Sequence, residues 1–204
     1  AHKTKSSRSI IWFHNIDYIN TIIHCVYIYK VSILYLYSMT VNIVVAYCKG
    51  NGIGKNNTLP WCIPQDLKHF SKLTKGNNTN MVVMGRKTWE SLPNKPLPNR
   101  FNAIVTTTLS IDINGVKTFK SFKDVLDFSR KKHFSNVWII GGEQLYKTAL
   151  DEGIVDEIHV SIIDEEYDCD TFFPYFSEIE YKKTLEQYIS EKVTYTIFRK
   201  NSII

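Results

Sequence analysis

From Met39 onward, runs of Val- and Ile-rich sequence alternate with stretches that repeat at helical spacing, and this restricts the chain to an α/β sheet. "VNIVVAYC" (41–48), "NMVVMG" (80–85), "FNAIVTT" (101–107) and "NVWII" (136–140) are largely continuous apolar runs. Strands covered on both faces require that pattern, whereas a half-exposed strand alternates apolar with polar. Between them, "PQDLKHFSKLTK" (64–75) places Leu67, Phe70 and Leu73 at helical spacing, with Pro64 suited to the first turn. "RKTWESL" (86–92), "SFKDVLDFSRKK" with Ser121 as its cap, and "GEQLYKTALDEG" (142–153) predict three more helices. "VDEIHVSII" (155–163) adds a strand, and "YKKTLEQYI" with "KVTYTIFRK" predict a terminal antiparallel pair. The expected fold is one α/β domain with a central, mostly parallel twisted sheet, an antiparallel C-terminal edge, and helices on both faces.

Residues 1–38 do not fit this alternation. "AHKTKSSRS" is polar and basic, and the apolar stretch after it is interrupted by His14, Asp17, Asn20, His24 and Lys30. Ile19–Tyr37 is long enough for a membrane anchor. A targeting peptide and a dispensable leader are the other readings, the domain itself taking residues 39–204. Its expected location is the cytoplasm, unless the leader directs it elsewhere.

The chain carries +5 overall, unevenly spread. Residues 39–110 hold nine Lys or Arg against Asp66 and Glu90 alone, while residues 111–204 hold twelve against seventeen acids. No Lys/Arg run with interleaved aromatics occurs, so the basic half fits a small anionic ligand better than a nucleic acid. Cys25, Cys48, Cys62 and Cys169 match no metal spacing and read as reduced, packed thiols. No metal is expected. The acidic run "DEEYDCD" (164–170) reads as a solvated loop, and His159 as an ordinary strand residue.

Three segments suggest a ligand. "GNGIG" (50–54) follows a strand but lacks the third glycine and the immediate helix of a dinucleotide fingerprint, so a mobile loop covering a site is expected. "WIIGGEQLY" (138–146) ends a buried strand in Gly141-Gly142 just where a helix starts, which presents free N–H groups to an anion or forms a simple tight turn. In "MGRKTWESLP" (84–93), Arg86 and Lys87 stand at a helix N-terminus against the helix dipole. A bound phosphate would explain them, as would simple exposure to solvent. The lone acid of "LPWCIPQDLKHF", Asp66, stands among Trp61, Ile63, Leu67 and Phe70. A carboxylate there is either at the surface, bound to something, or serving the helix dipole.

"GIGKNNTLPW", "PQDLKHF", "MGRKTWESLP", "PLPNRFNAIVT", "IIGGEQLY" and "DTFFP" stand in the order and spacing of dihydrofolate reductase, which the chain resembles from Met39 to Arg199. The resemblance implies reduction of dihydrofolate to tetrahydrofolate by NADPH, with hydride transfer to C6 and protonation at N5, supplying thymidylate synthesis. It places Asp66, Trp61, Ser161 and Tyr146 at the chemistry. Around the substrate it places Val44, Val45, Leu67, Phe70, Leu92, Leu97, Ile140 and Arg100, the last toward the glutamate carboxylate. Around the cofactor it places Ala46, Ile53, Gly54, Lys55, Gly85, Arg86, Lys87, Thr88, Thr106 and Thr107, then Gly141 to Tyr146: Gly141, Gly142, Glu143, Gln144 and Leu145 with Tyr146. The Gly141–Gly142 bond is expected cis. Glu143 departs from the family, many of whose members have Gly or Ser there. The implied partners are dihydrofolate and antifolates, with a monomeric chain, no nucleic acid and no membrane for residues 39–204. Fusion to thymidylate synthase stays open. Two rival readings are a same-fold NADPH reductase of a riboflavin-pathway pyrimidine and a non-catalytic folate- or nucleotide-binding protein.

Overall fold

The computed structural model describes residues 39–76 and 79–201. The expectations for residues 1–38 therefore lie outside the described residues. Nine strands form one sheet in the order β10-β11-β8-β1-β7-β3-β4-β6-β5. Its middle consists of β1 (Thr40–Cys48), β3 (Asn80–Gly85), β4 (Phe101–Val105), β6 (Val116–Phe119), β7 (Asn136–Gly141) and β8 (Glu157–Ile163). All neighbours within that group run parallel. The antiparallel hairpin of β10 (Tyr181–Ser190) and β11 (Val193–Lys200) closes one edge, and β5 (Asp112–Ile113) lies antiparallel on the other. The expected α/β architecture is the one observed.

The helices divide between the two faces. α3 (Phe122–Lys131) and α4 (Glu143–Asp151) bury Phe122, Val125, Leu126, Leu145, Tyr146 and Ala149 with Ile43, Val45, Val83 and Ile139. On the other face, α1 (Pro64–Thr74) and α2 (Arg86–Ser91) bring Phe70, Leu73 and Trp89 against Val44, Val82, Met84, Ile104 and Trp138. Neighbours along one strand thus serve opposite cores, which is why both positions must be apolar. Ser121 caps α3 as expected: its hydroxyl accepts from Asp124 N–H at 3.1 Å, and the Asp124 carboxylate accepts from Ser121 N–H at 3.1 Å.

Two pairings go beyond the sequence expectations. β5 and β6 form a hairpin turning at Asn114-Gly115, with Gly115 at φ 78°. The Asn-Gly pair is a recognised hairpin signal, here between strands too short to show a period. The second is β2 (Gly52–Gly54) with β9 (Thr171–Phe172), a separate two-stranded sheet. It ties the glycine-rich segment to the residues just after the acidic run. Among the described residues, no helix is long and apolar enough to cross a membrane.

Candidate active site

β1, β3, β4 and β7 run parallel, so Gly85, Thr106 and the Gly141-Gly142 pair gather at one edge of the sheet, where open α/β folds bind ligands. α1 begins beside this edge because Pro64 at its N-terminus fixes a helical φ and needs no N–H partner. That start puts Asp66 in the first helical turn, facing the sheet and 7% exposed.

Asp66 has no Lys or Arg within ion-pair distance among the described residues. Burial pushes its carboxyl above the usual range, and hydrogen bonding to Ser161 and the nearby His69 pull part of the way back. Ser161 is buried on β8, in register with Ala46 of β1 and Tyr195 of β11. Trp61 is 8% exposed, and its indole N–H is buried without a partner among the described residues. Val44, Phe70, Leu92, Leu97 and Ile140 belong to one apolar cluster, while Trp61 packs in a neighbouring one with Cys48, Ile163 and Val193. Leu67 stays half exposed on α1. This arrangement can grip a flat heterocycle that presents N–H groups to the acid while its faces meet apolar side chains.

Arg100 is 6% exposed, with Nε–H donating to Pro98 O at 3.0 Å and Nη1 donating to the Thr74 hydroxyl. Its guanidinium lies 5.9 Å from the centre of the Phe70 ring. Burial lowers its pKa, and no carboxylate of the described residues pairs with it. A buried cation without an anion is a strong site for a ligand carboxylate.

The Gly141–Gly142 bond is cis, as expected, and Gly141 has φ 131°. A Cβ at Gly141 would lie 3.2 Å from the Thr88 hydroxyl, so the glycine keeps the turn open against α2. Gly142 caps α4, whose first amides, including those of Glu143 and Gln144, have no partner within the helix. Glu143 at the first position suits the dipole. Arg86 and Lys87 are exposed at the start of α2, where Arg86 pairs with Glu90 at 3.1 Å. Thr106 and Thr107 follow β4, the Thr106 hydroxyl accepting from Thr108 N–H at 3.2 Å.

A family profile described as dihydrofolate reductase matches residues 40–200. The chain belongs to the dihydrofolate reductase family. A dihydrofolate reductase of Staphylococcus aureus strain Mu50 is 38% identical over 158 residues, spanning 76% of this chain and 92% of that protein. The bifunctional dihydrofolate reductase-thymidylate synthase 2 of Arabidopsis thaliana is 41% identical over 148 residues, spanning 66% of this chain and 26% of that longer protein.

Within this dihydrofolate reductase fold, three expected site residues, Val45, Leu145 and Tyr146, belong to the buried cluster on the α3–α4 side. Val45 alternates with Val44 and packs into the α3–α4 core, so only its backbone can reach the edge. Leu145 is likewise turned into that core. Tyr146 is 3% exposed, with its hydroxyl donating to Val44 O at 3.0 Å. Ala46 and Ile53 remain partly open.

The glycine-rich segment is pinned rather than free-standing. Lys55 pairs with Asp168 at 3.1 Å and Lys49 with Asp164 at 2.7 Å, while the Asp170 carboxylate accepts from Asn56 N–H at 2.9 Å. These acids, from the run expected as a solvated loop, are exposed, yet they are the partners of the basic loop.

Beyond the expected residues, a group of histidine and tyrosine side chains lies near Asp66. His69, one turn along α1, sets its ring edge-on to Tyr195 at 4.2 Å. The His159 ring lies between the Tyr195 hydroxyl and the Glu157 carboxylate, the latter 2.9 Å away. Burial lowers the pKa of both histidines. The i, i+3 spacing of Asp66 and His69 was the available signal.

Proposed function

We propose that residues 39–204 reduce dihydrofolate to tetrahydrofolate with NADPH. The observation that carries this reading is the buried Asp66 carboxylate, unpaired by any cation among the described residues, on a helix whose Phe70 and Leu73 pack into an apolar cluster. A pterin offers an N–H and an amino group side by side, and a carboxylate accepts both as a charge-assisted pair. The Ser161 hydroxyl favours the charged carboxylate, and the unpartnered Trp61 N–H can bind a water that bridges to the ligand. Val44, Phe70, Leu92, Leu97 and Ile140 enclose the ring faces, and Arg100 takes the glutamate carboxylate of the tail.

The residues at the strand edge fit NADPH. Gly141 and Gly142, with no Cβ against Thr88, let a pyrophosphate approach the start of α4. Thr88, Thr106 and Thr107 supply hydroxyls, while Arg86 and Lys87 supply charge for the adenosine phosphates. Ala46, Ile53 and Gly54 would border the nicotinamide. When bound, NADPH supplies the hydride.

The protein's own work is orientation, exclusion of water and electrostatics. Asp66 grips the pterin edge remote from N5, so it acts by orienting the ring and favouring its protonated form. Water under the Gly50–Leu59 segment is the proximate proton donor. A reductase for a riboflavin-pathway pyrimidine would have no use for Asp66 and Arg100 together.

The test is loss of reduced-nicotinamide absorbance with NADPH and dihydrofolate, alongside product identification. Binding of both without turnover would replace this reading with that of a binding protein.

A further inference from the structure

Cys48 ends β1 and Cys169 lies in the acidic run, 121 positions later, yet their Sγ atoms are 3.8 Å apart. Both are free thiols, Cys48 buried and Cys169 partly open. Gly52, the first residue of β2, lies against the pair. A Cβ there would fall 2.5 Å from the Cys169 sulfur and 3.0 Å from that of Cys48. The two sulfurs therefore occupy the space a side chain at position 52 would take.

Backbone pairing fixes this approach on both sides. Asp170 N–H donates to Gly54 O at 3.0 Å, and Phe173 N–H donates to Asn51 O at 2.8 Å. The Lys49–Asp164 and Lys55–Asp168 ion pairs flank the same contact. The thiols meet because their main chains are paired, so a change of side-chain rotamer alone does not part the two segments.

We propose that Cys48 and Cys169 form a modification site, an oxidisable pair that takes up an intramolecular disulfide from a low-molecular-weight disulfide. The Cys169 thiolate, the more accessible, attacks one sulfur of the oxidant, forming a mixed disulfide and releasing one small thiolate. The Cys48 thiolate then attacks the Cys169 sulfur, and the second small thiol leaves. Two protein thiols are oxidised, one small disulfide is reduced to two thiols, and the two protons pass to the leaving groups. The product would staple the root of the Gly50–Leu59 segment to the acidic run. Burial and the neighbouring Cys48 hold the Cys169 thiol above its usual pKa, so mildly alkaline conditions favour the first step.

The test treats the full chain with oxidised glutathione at mildly alkaline pH, blocks free thiols, and maps the peptides by mass spectrometry. The expected result is a peptide pair crosslinked through Cys48 and Cys169, absent after dithiothreitol and absent in Cys169→Ser. Both cysteines blocked, or each carrying its own glutathione, would overturn the proposal. Hydrogen exchange across residues 49–59 is expected to slow on oxidation and to recover on reduction. Unchanged exchange would show that the bond does not hold the segment. Neither readout uses catalytic activity, so failure of the reductase assignment and failure of this proposal remain separable.

Discussion

The Tyr146 hydroxyl donates to the main-chain carbonyl of Val44 at 3.0 Å, joining α4 to β1 across 102 positions. Burial raises the phenol pKa, so the group remains a donor throughout the working pH range. Tyr146→Phe keeps the ring against Phe173, 5.1 Å between centres, and removes only the donor. The expected loss is about 0.5–1.5 kcal/mol of stability. Urea unfolding of the two proteins checks it, and an unchanged midpoint with an unchanged slope would mean the bond contributes nothing net.

Asp66→Asn is expected to lower turnover at pH 7 by roughly a hundred- to a thousandfold while the fold persists. The deficit should shrink as pH falls, because substrate protonated in solution needs less help from the carboxylate. An equal deficit at pH 5 and pH 8 would remove Asp66 from the role assigned to it.

The same substitution has an opposite effect on stability. Burial raises the Asp66 pKa above its ordinary 3.8, so between those two values the folded chain binds more protons than the unfolded one. Stability therefore falls as pH rises through that window, and the cost persists at neutral pH. Without ligand, Asp66→Asn is expected to be more stable at pH 7 by ~0.5–2 kcal/mol, the gap closing as pH falls toward the ordinary carboxylate value. Urea titrations at several pH values decide it, and a less stable Asn variant at pH 7 would contradict the burial argument. Since the charge on His69 draws the Asp66 pKa down, His69→Phe should move this ionisation upward.

Arg100→Lys keeps the charge but loses the planar fork that reaches Thr74 and Pro98 O. The Michaelis constant for dihydrofolate should rise by about ten- to a hundredfold, the equivalent of one charge-assisted hydrogen bond. A pterin lacking the glutamate tail should be reduced equally well by both proteins. Equal losses on the two substrates would mean that Arg100 serves only the fold.

Arg86→Ala should raise the Michaelis constant for NADPH by roughly ten- to a hundredfold and leave that for NADH nearly unchanged. The Glu90 partner is exposed and holds Arg86 weakly, so a phosphate can displace it. Matching effects on both cofactors would show that Arg86 does not read the additional phosphate.

What the sequence determined by itself was the order and kind of the main elements, the covering of both sheet faces, and the oddity of Asp66. These follow from local periods and from single residues that violate their surroundings. The phase of β1 was not legible, because an apolar run buried on both faces looks the same whichever way it is turned. Only the packed sheet decided that Val44 serves the α1–α2 side and Val45 the α3–α4 side. The partners of Lys55, Asn56 and Cys48 were likewise invisible, standing more than a hundred positions away. Tertiary structure chose them by pairing β2 with β9, since short polar loops carry no period and acquire partners only when the elements on either side are fixed in space.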